Sequence, residues 1–263
     1  MLSPAQREEF EMRGVVRLPE AVEPRAACAF AERIRAFVAE KKLAPSGIGQ
    51  WLAVRASSTA PLAKACRFAD LWGPTVLAAL DDLLGPGRWE IPEHAGQVLA
   101  LTWPQPGQTW QVPDKVWHLD YMAPGAARGL PGIQLFLCLD RVESRAAATL
   151  VAAGTPRLID ALRLGKGSAW EGRSADVRKA LAREAPWFRE LTTVRAGEDR
   201  IARFMAKPTE FGGSRLQVLE LTGDAGDVWL MHPWMLHAPS ANCSERPRMV
   251  LTERIRALSA AGG

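Results

Sequence analysis

Cysteine is scarce in this sequence and shows no pairing pattern: Cys28, Cys66, Cys138 and Cys243 are the only four among 263 residues. No two form a Cys-x-x-Cys pair, which argues against a zinc knuckle or a dithiol redox motif. They read as free thiols of a reducing compartment. Long apolar runs are also missing; none approaches the roughly 20 residues of a membrane span. The opening residues, Met1-Leu2-Ser3-Pro4-Ala5-Gln6, lack the apolar core of a signal peptide. The expected location is the cytoplasm, with no membrane partner. Nor is there a run of five or six like charges. The net charge of +4 is spread along the chain, which gives no case for nucleic acid and at most a mild preference for an anionic substrate. The expected partner is a small-molecule substrate, with neither nucleic acid nor membrane.

The rest of the composition is ordinary for a soluble globular protein, with 48% hydrophobic and 24% charged residues. There is no internal repeat and no low-complexity linker, so a single domain over residues 1–263 is expected. Its first part, about 1–87, reads as helical. Ser3 and Pro4 open one helix. From Glu23 to Lys41, Ala27, Phe30, Ala31, Ile34, Phe37 and Val38 recur at three and four residues. Two more helices are expected from Pro61 to Leu71 and from Pro74 to Leu84. From about 88 to 257 short strands dominate: Trp89 to Ile91, Gln97 to Trp103, the segment around His118, Gly132 to Asp140, Thr149 to Val151, Leu216 to Leu221, Asp227 to Met231 and Arg248 to Arg254. A helical stretch from Pro156 to about Leu191 interrupts them, with Ser174 capping a helix. Many short strands separated by turn signals, without regular helix alternation, indicate a mainly β sandwich or barrel with flanking α-helices.

Histidine is as scarce as cysteine, with four in the chain, and that makes Val116-Trp117-His118-Leu119-Asp120-Tyr121 conspicuous. On an extended strand, residues two apart share a face, so His118 and Asp120 offer an imidazole nitrogen and a carboxylate oxygen to a common point. A third ligand is needed, and His237 in Leu236-His237-Ala238-Pro239 is the best candidate. Its rival is His232, five residues earlier and followed by Pro233; it reads as a buried structural histidine. Two histidines and one carboxylate on one face of a metal, with the opposite face open, is the arrangement of non-heme Fe(II) oxygenases.

Around these residues lies a wider pattern. Gly14-Val15-Val16-Arg17-Leu18-Pro19 stands near the start, and the stretch from Thr149 to Thr155 follows His118-Leu119-Asp120. Then come Gly226-Asp227-Val228, His237 and, eleven residues further, Arg248. With these pieces, from about Gly14 to Ala257, the sequence resembles the phytanoyl-CoA dioxygenase-like family of iron- and 2-oxoglutarate-dependent oxygenases. The family's Gly-Ser-His element reads Gly154-Thr155-Pro156 here. The resemblance implies a double-stranded β-helix, that is, a cupin-like jelly roll with helices packed on one sheet. It implies that His118, Asp120 and His237 hold Fe(II), and that Arg248, with Thr149, binds 2-oxoglutarate. An arginine stays charged at any working pH and meets a carboxylate with two parallel hydrogen bonds. The implied reaction consumes O2 and 2-oxoglutarate, and with Asp120 present it is hydroxylation or a related C–H oxidation rather than halogenation.

The competing class is a metal-binding jelly roll without oxygenase activity, isomerase-like or an inactive binding protein. Arg248 discriminates between the two, because an isomerase has no need of an arginine placed for a cosubstrate. Arg246 is the rival for that role, but its polar loop suggests a solvated charge. Trp103, Trp110 and Trp234 are expected to wall the substrate pocket. The Pro104 to Pro113 loop is expected to act as a lid. With the Met122 to Pro131 loop and the insertion after Pro156, it is expected to select the substrate.

Overall fold

The chain begins with a capped helix, α1 (Pro4–Arg13), in which the Ser3 hydroxyl accepts from the Gln6 N–H and the Gln6 side chain accepts from the Ser3 N–H. Gly14 ends it in the left-handed region, at φ 77°, where a glycine carries no Cβ penalty. The computed structural model describes residues 1–42, 61–62, 64–96, 98–120, 129–163 and 174–258. After β1 (Val15–Leu18) come α2 (Pro24–Glu40) and α3 (Phe68–Leu84), then β2 (Val98–Thr102), β3 (Gly132–Cys138) and β4 (Thr149–Ala153). Four helices follow: α4 (Thr155–Arg163), α5 (Ser174–Glu184), α6 (Pro186–Leu191) and α7 (Arg200–Phe204). The chain closes with β5 (Thr209–Phe211), β6 (Ser214–Leu221), β7 (Val228–Met231), β8 (His237–Ala238) and β9 (Arg248–Arg256).

Among the described residues the strands form two sheets, in the orders β1-β7-β3-β9-β2 and β5-β6-β4-β8. Every pairing is antiparallel. The alternation of side chains along each strand sorts the apolar residues into three layers. Ile133, Leu135 and Leu137 of β3 and Met249, Leu251 and Ile255 of β9 face outward onto Ile34 and Val38 of α2 and Trp72, Val76 and Leu80 of α3. Phe136, Cys138, Met231 and Val250 of the five-stranded sheet meet Val151 and Leu221 of the four-stranded sheet between the two. Leu150, Ala152, Leu216 and Val218 cover the far side, under Ile159, Val177, Leu181, Phe188 and Phe204 of the later helices. This is a jelly roll, with helices on both outer faces rather than on one.

The closing turn before β7 is a structural device. Asp227 is 1% exposed. Its carboxylate accepts from the Glu20 N–H at 2.9 Å, the Asp224 N–H at 2.7 Å and the Arg17 guanidinium. Burying a carboxylate is costly unless it is paired and hydrogen-bonded, and here the pairing ties β1 to the sheet. Gly226, at φ 94°, passes so close to Val22 that an added Cβ would meet its carbonyl oxygen at 2.3 Å.

Several expected elements look different in three dimensions. Of the helices expected from Pro61 to Leu71 and from Pro74 to Leu84, only the end of the first joins the second as α3, which begins at Phe68 after an extended Arg67 and is kinked where Gly73 (φ 63°) precedes Pro74. Trp89 to Ile91 makes no strand, only an isolated bridge from Trp89 to Ala257. The segment around His118 is likewise no regular strand: it pairs at one residue, and Val116 lies at φ 61°. The Pro104 to Pro113 loop is not a free flap. Trp110 and Val112 are buried under the later helices, and the Gln105 N–H donates to the Asn242 carbonyl. The Arg200 guanidinium donates to the Val112 and Pro113 carbonyls at 2.8 and 3.1 Å. These bonds make the loop a strap, which corrects the lid expectation. Residues 121–128, most of the Met122 to Pro131 loop, lie outside the described residues.

Glu253 stands out within the helix-covered layer. It is 1% exposed and accepts from the Arg254 N–H at 2.7 Å. Burial raises its carboxyl to about 7, against the weaker pull of that N–H and of the Arg254 charge. Between the ordinary carboxylate range and pH 7 the folded protein therefore keeps a proton that the unfolded chain has released. Stability is lost as pH rises through that window. Glu253→Gln, neutral at every pH, is expected to melt above the parent at pH 8 and close to it at pH 5. A melting difference that does not change between the two pH values would contradict this reading of Glu253.

Candidate metal centre

The two histidines meet through backbone pairing. The His118 N–H donates to the His237 carbonyl at 2.9 Å, and the His237 N–H returns a bond to the His118 carbonyl at 3.0 Å. Residues paired directly across an antiparallel bridge carry their side chains to the same side, and the two imidazole centroids lie 4.2 Å apart. Each ring also donates its Nδ1–H to a carbonyl two residues earlier, His118 to Val116 at 2.8 Å and His237 to Met235 at 3.0 Å. A carbonyl can only accept, so the proton sits on Nδ1 and Nε2 is left as the lone-pair donor.

Asp120 closes the group. Its Oδ1 is 3.6 Å from His118 Nε2 and its Oδ2 is 3.4 Å from His237 Nε2. One ligand atom from each of the three residues lies within 4.8 Å of the others, a spacing that a single ion can bridge. The donor set is two neutral imidazoles and one carboxylate, which suits Fe(II) and comparable divalent ions. Burial, then the neighbouring His237, holds the His118 imidazole below its ordinary range, against the Val116 carbonyl and Asp120. Burial pushes the Asp120 carboxyl up, but the adjacent His237 imidazole, the Arg254 guanidinium and the Gln134 amide outweigh it. The acid is held well below the usual carboxylate range. His118 and Asp120 are thus in their ligating forms near neutral pH.

The ligand segment is held from α5 rather than by a strand. Ser174, the first residue of α5, accepts from the Leu119 N–H at 2.8 Å, and Arg178, one turn on, donates to the Trp117 carbonyl at 3.0 Å. Trp117, buried, donates its indole N–H to the Pro113 carbonyl at 2.9 Å. On the other side, the Thr155 hydroxyl accepts from the Leu236 N–H at 3.2 Å and donates to the Ala152 carbonyl at 2.7 Å. That fixes the residue before His237. Gln134 and Arg254 bond to Asp120 itself, at 2.6 and 3.1 Å. Sequence reasoning passed over Ser174 as a ligand-segment anchor, and Arg178, Gln134 and Arg254 entirely. Two signals were available: Gln134 interrupts an apolar strand, and Arg254 is an even number of residues from Arg248.

Arg248 lies fully inside the barrel. Its Nη2 donates to Thr149 Oγ1 at 2.7 Å, a bond that crosses from one sheet to the other. Its Nε has no partner among the described residues. Burial lowers the guanidinium to about 10, with the nearby Cys138 acting in the opposite sense, so it remains a cation at neutral pH. Burial pushes the Cys138 thiol up to about 12, which keeps it neutral. Thr149 and Val151 share the inner face of β4, and Val151 pairs with His237. The Arg248 anchor therefore lies on the strand next to His237, two residues along from the cross-strand partner of that histidine.

The other candidates fall elsewhere. His232 accepts at Nδ1 from the Trp234 N–H at 3.0 Å, and its ring lies 6.4 Å from Phe10 and 5.2 Å from Trp234, centroid to centroid. It is not among the three clustered ligands. Arg246 is exposed, and its carbonyl accepts from Asn242 and Ser244. Trp110 and Trp234 belong to the layer under the later helices. Trp103, expected at the pocket, packs instead against the layer beneath α2 and α3.

No family model and no curated protein matches the sequence. Solved structures with a similar fold do exist. EvdO2 from Micromonospora carbonacea var. aurantiaca, complexed with 2-oxoglutarate, aligns over 100% of this chain and 94% of its own, at 13% identity and TM-score 0.54. SnoK, a non-heme alpha ketoglutarate dependent carbocyclase from nogalamycin biosynthesis, aligns over 97% and 84%, at 14% identity and TM-score 0.52. The epimerase SnoN, solved with Fe3+, alpha ketoglutarate and nogalamycin RO, aligns over 97% and 83%, at 13% identity and TM-score 0.51. At these identities the likeness establishes the shared fold.

His118→Ala, Asp120→Ala and His237→Ala are each expected to abolish tight divalent-metal binding, read by equilibrium titration, while the folded far-UV signal remains. His232→Ala is expected to keep the metal. If His232→Ala lost the metal and His237→Ala retained it, the assignment of the third ligand would be wrong.

Proposed function

We propose that this protein is a non-heme iron enzyme similar to the phytanoyl-CoA dioxygenase-like oxygenases. In this reading it couples the oxidative decarboxylation of 2-oxoglutarate to hydroxylation, or a related C–H oxidation, of a small organic substrate. The observation that carries the reading is Arg248. A buried guanidinium with an unpaired N–H is costly, and the cost is offset when an anion enters. Thr149, which holds the guanidinium, lies two residues along β4 from Val151, the cross-strand partner of His237, so the cation and His237 face one interior that a slim dicarboxylate can enter. A metal-binding isomerase has no use for that cation.

Under this reading His118, Asp120 and His237 hold the iron, which with 2-oxoglutarate and O2 supplies the oxidising power for C–H cleavage. Arg248 meets the distal carboxylate of 2-oxoglutarate, and the Thr149 hydroxyl orients the guanidinium toward it. Phe136, Val151, Met231 and Val250 give the interior an apolar wall that excludes water from the cosubstrate. The three structural relatives are described as 2-oxoglutarate-dependent or were solved with that molecule, which supports the same cosubstrate here. They include a carbocyclase and an epimerase, so the outcome of C–H cleavage is the finer part of the proposal; the Asp120 ligand favours hydroxylation over halogenation.

Truncating one member of a buried hydrogen-bonded charge pair costs roughly 2–5 kcal/mol. Arg248→Ala is expected to weaken 2-oxoglutarate binding by about 30-fold to several thousand-fold, at ~1.4 kcal/mol per decade, with iron binding retained. Arg246→Ala is expected to change it by less than about threefold, as for an exposed charge. Titrations of both variants at saturating Fe(II) without oxygen measure this, and the reverse ranking would move the cosubstrate site. Turnover is tested by succinate release in a screen of small organic compounds. No stimulation by any substrate, in protein that binds both iron and 2-oxoglutarate, would favour the binding-protein alternative.

A further inference from the structure

Gln134 is 3% exposed and sits in the middle of β3, in a run of otherwise apolar residues. Its Nε2 donates to Asp120 Oδ2 at 2.6 Å, while its Oε1 is buried with no partner among the described residues. Leaving a buried acceptor unpaired is costly, a cost that leucine at this position would not carry. The amide is kept at an energetic cost, and what it touches is a metal ligand. Arg254 reaches the same carboxylate oxygen from β9, with Nη2 at 3.1 Å. Two donors from neighbouring strands, paired as Gln134 and Arg254 across the sheet, therefore converge on Oδ2 alone.

We infer that Gln134 and Arg254 are positioning residues that occupy Oδ2 of Asp120 and leave Oδ1 as its one metal-binding oxygen. This rests on the reading of His118, Asp120 and His237 as a metal site. A carboxylate that binds through both oxygens takes two coordination positions, and one that binds through a single oxygen takes one. With two imidazoles present, the second arrangement leaves room for a bidentate 2-oxoacid and one further small ligand on a six-coordinate ion. Hydrogen bonds to the outer oxygen also fix the plane of the carboxylate, the usual task of groups behind a metal ligand. The two donors differ in one respect. Gln134 is neutral and acts by geometry alone, whereas Arg254 also brings a positive charge that opposes the metal's own.

The test uses the full-length protein and Co(II) as the probe, with Gln134→Leu and Arg254→Met. Metal-free Gln134→Leu is expected to melt close to the parent, because removal of the unpaired acceptor offsets loss of the bond to Asp120. Its Co(II) affinity is expected to fall roughly 10- to 100-fold, the usual effect of losing a partner behind a ligand. The visible Co(II) spectrum is expected to change as the carboxylate turns to offer both oxygens. For Arg254→Met the spectrum is the decisive readout, since loss of the cation also removes its repulsion of the metal. Arg254→Lys, which keeps a cationic donor, is expected to restore the parent spectrum. Co(II) binding within about threefold of the parent in Gln134→Leu, with both variant spectra unchanged, would overturn the inference. So would a metal-free Gln134→Leu destabilised enough to account for the lost binding, since that is the signature of a purely structural glutamine. If the parent itself bound no Co(II), the metal reading of the three ligands would fail, and this inference with it.

Discussion

A pair of backbone hydrogen bonds between His118 and His237 is the contact on which the site depends. The two residues are 119 positions apart, counted as 237 minus 118, and belong to segments with little regular structure of their own: β8 is two residues long, and the His118 segment pairs at that one point. Yet the bridge sets both rings on one side with Nε2 of each directed away from its own backbone. Everything around it acts to hold those two short segments. Thr155 secures Leu236 on one side, and Ser174 and Arg178 secure the residues flanking His118 on the other. Without those contacts the bridge would be two exposed hydrogen bonds at the rim of a barrel, each worth only about 0.5–1.5 kcal/mol.

The barrel divides the chemistry by depth. His118 keeps 41% of its side chain exposed, whereas His237 keeps 7%; the metal ligands thus grade from the rim inward. Arg248 is buried to a similar degree as His237, with its charge near a neutral thiol and a threonine hydroxyl. In the proposed reading, a cosubstrate entering between them exchanges water for apolar walls and one fixed cation. The field of a guanidinium is less screened there than at the surface, which in that reading lets a single arginine hold the carboxylate. The strap from Pro104 to Pro113, bound through Arg200 to the later helices, links that side of the molecule to Trp117, the residue before His118.

Much of this was legible in the sequence, and what was missed has physical reasons. The alternation of β9 put Arg248, Val250 and Thr252 on one face, and continuing it to Arg254 would have found the second arginine. The jelly roll itself followed from the strand count and the resemblance, and the structural likenesses bear it out. His118 and Asp120 were grouped correctly for a reason that does not hold: the segment is not an extended strand, and Val116 adopts φ 61°. What orders it are bonds from Ser174 and Arg178, 55 and 61 residues away in sequence, and local periodicity carries no trace of partners at such distances. The lid expectation failed for a similar reason. Proline and glycine marked a loop correctly, but Arg200, which fastens it, lies almost ninety residues further on, at a separation of 88 from Val112.

That one metal ion at His118, Asp120 and His237 shares 2-oxoglutarate with Arg248 is the proposal on which the function rests. It is tested most directly by visible absorption of the Fe(II)-loaded protein without oxygen, as 2-oxoglutarate is added. A weak, saturable band from charge transfer between the metal and the chelated 2-oxoacid is expected, absent from the protein with iron alone and from iron with 2-oxoglutarate in buffer. Protein that holds iron stoichiometrically yet develops no such band at saturating 2-oxoglutarate would contradict it.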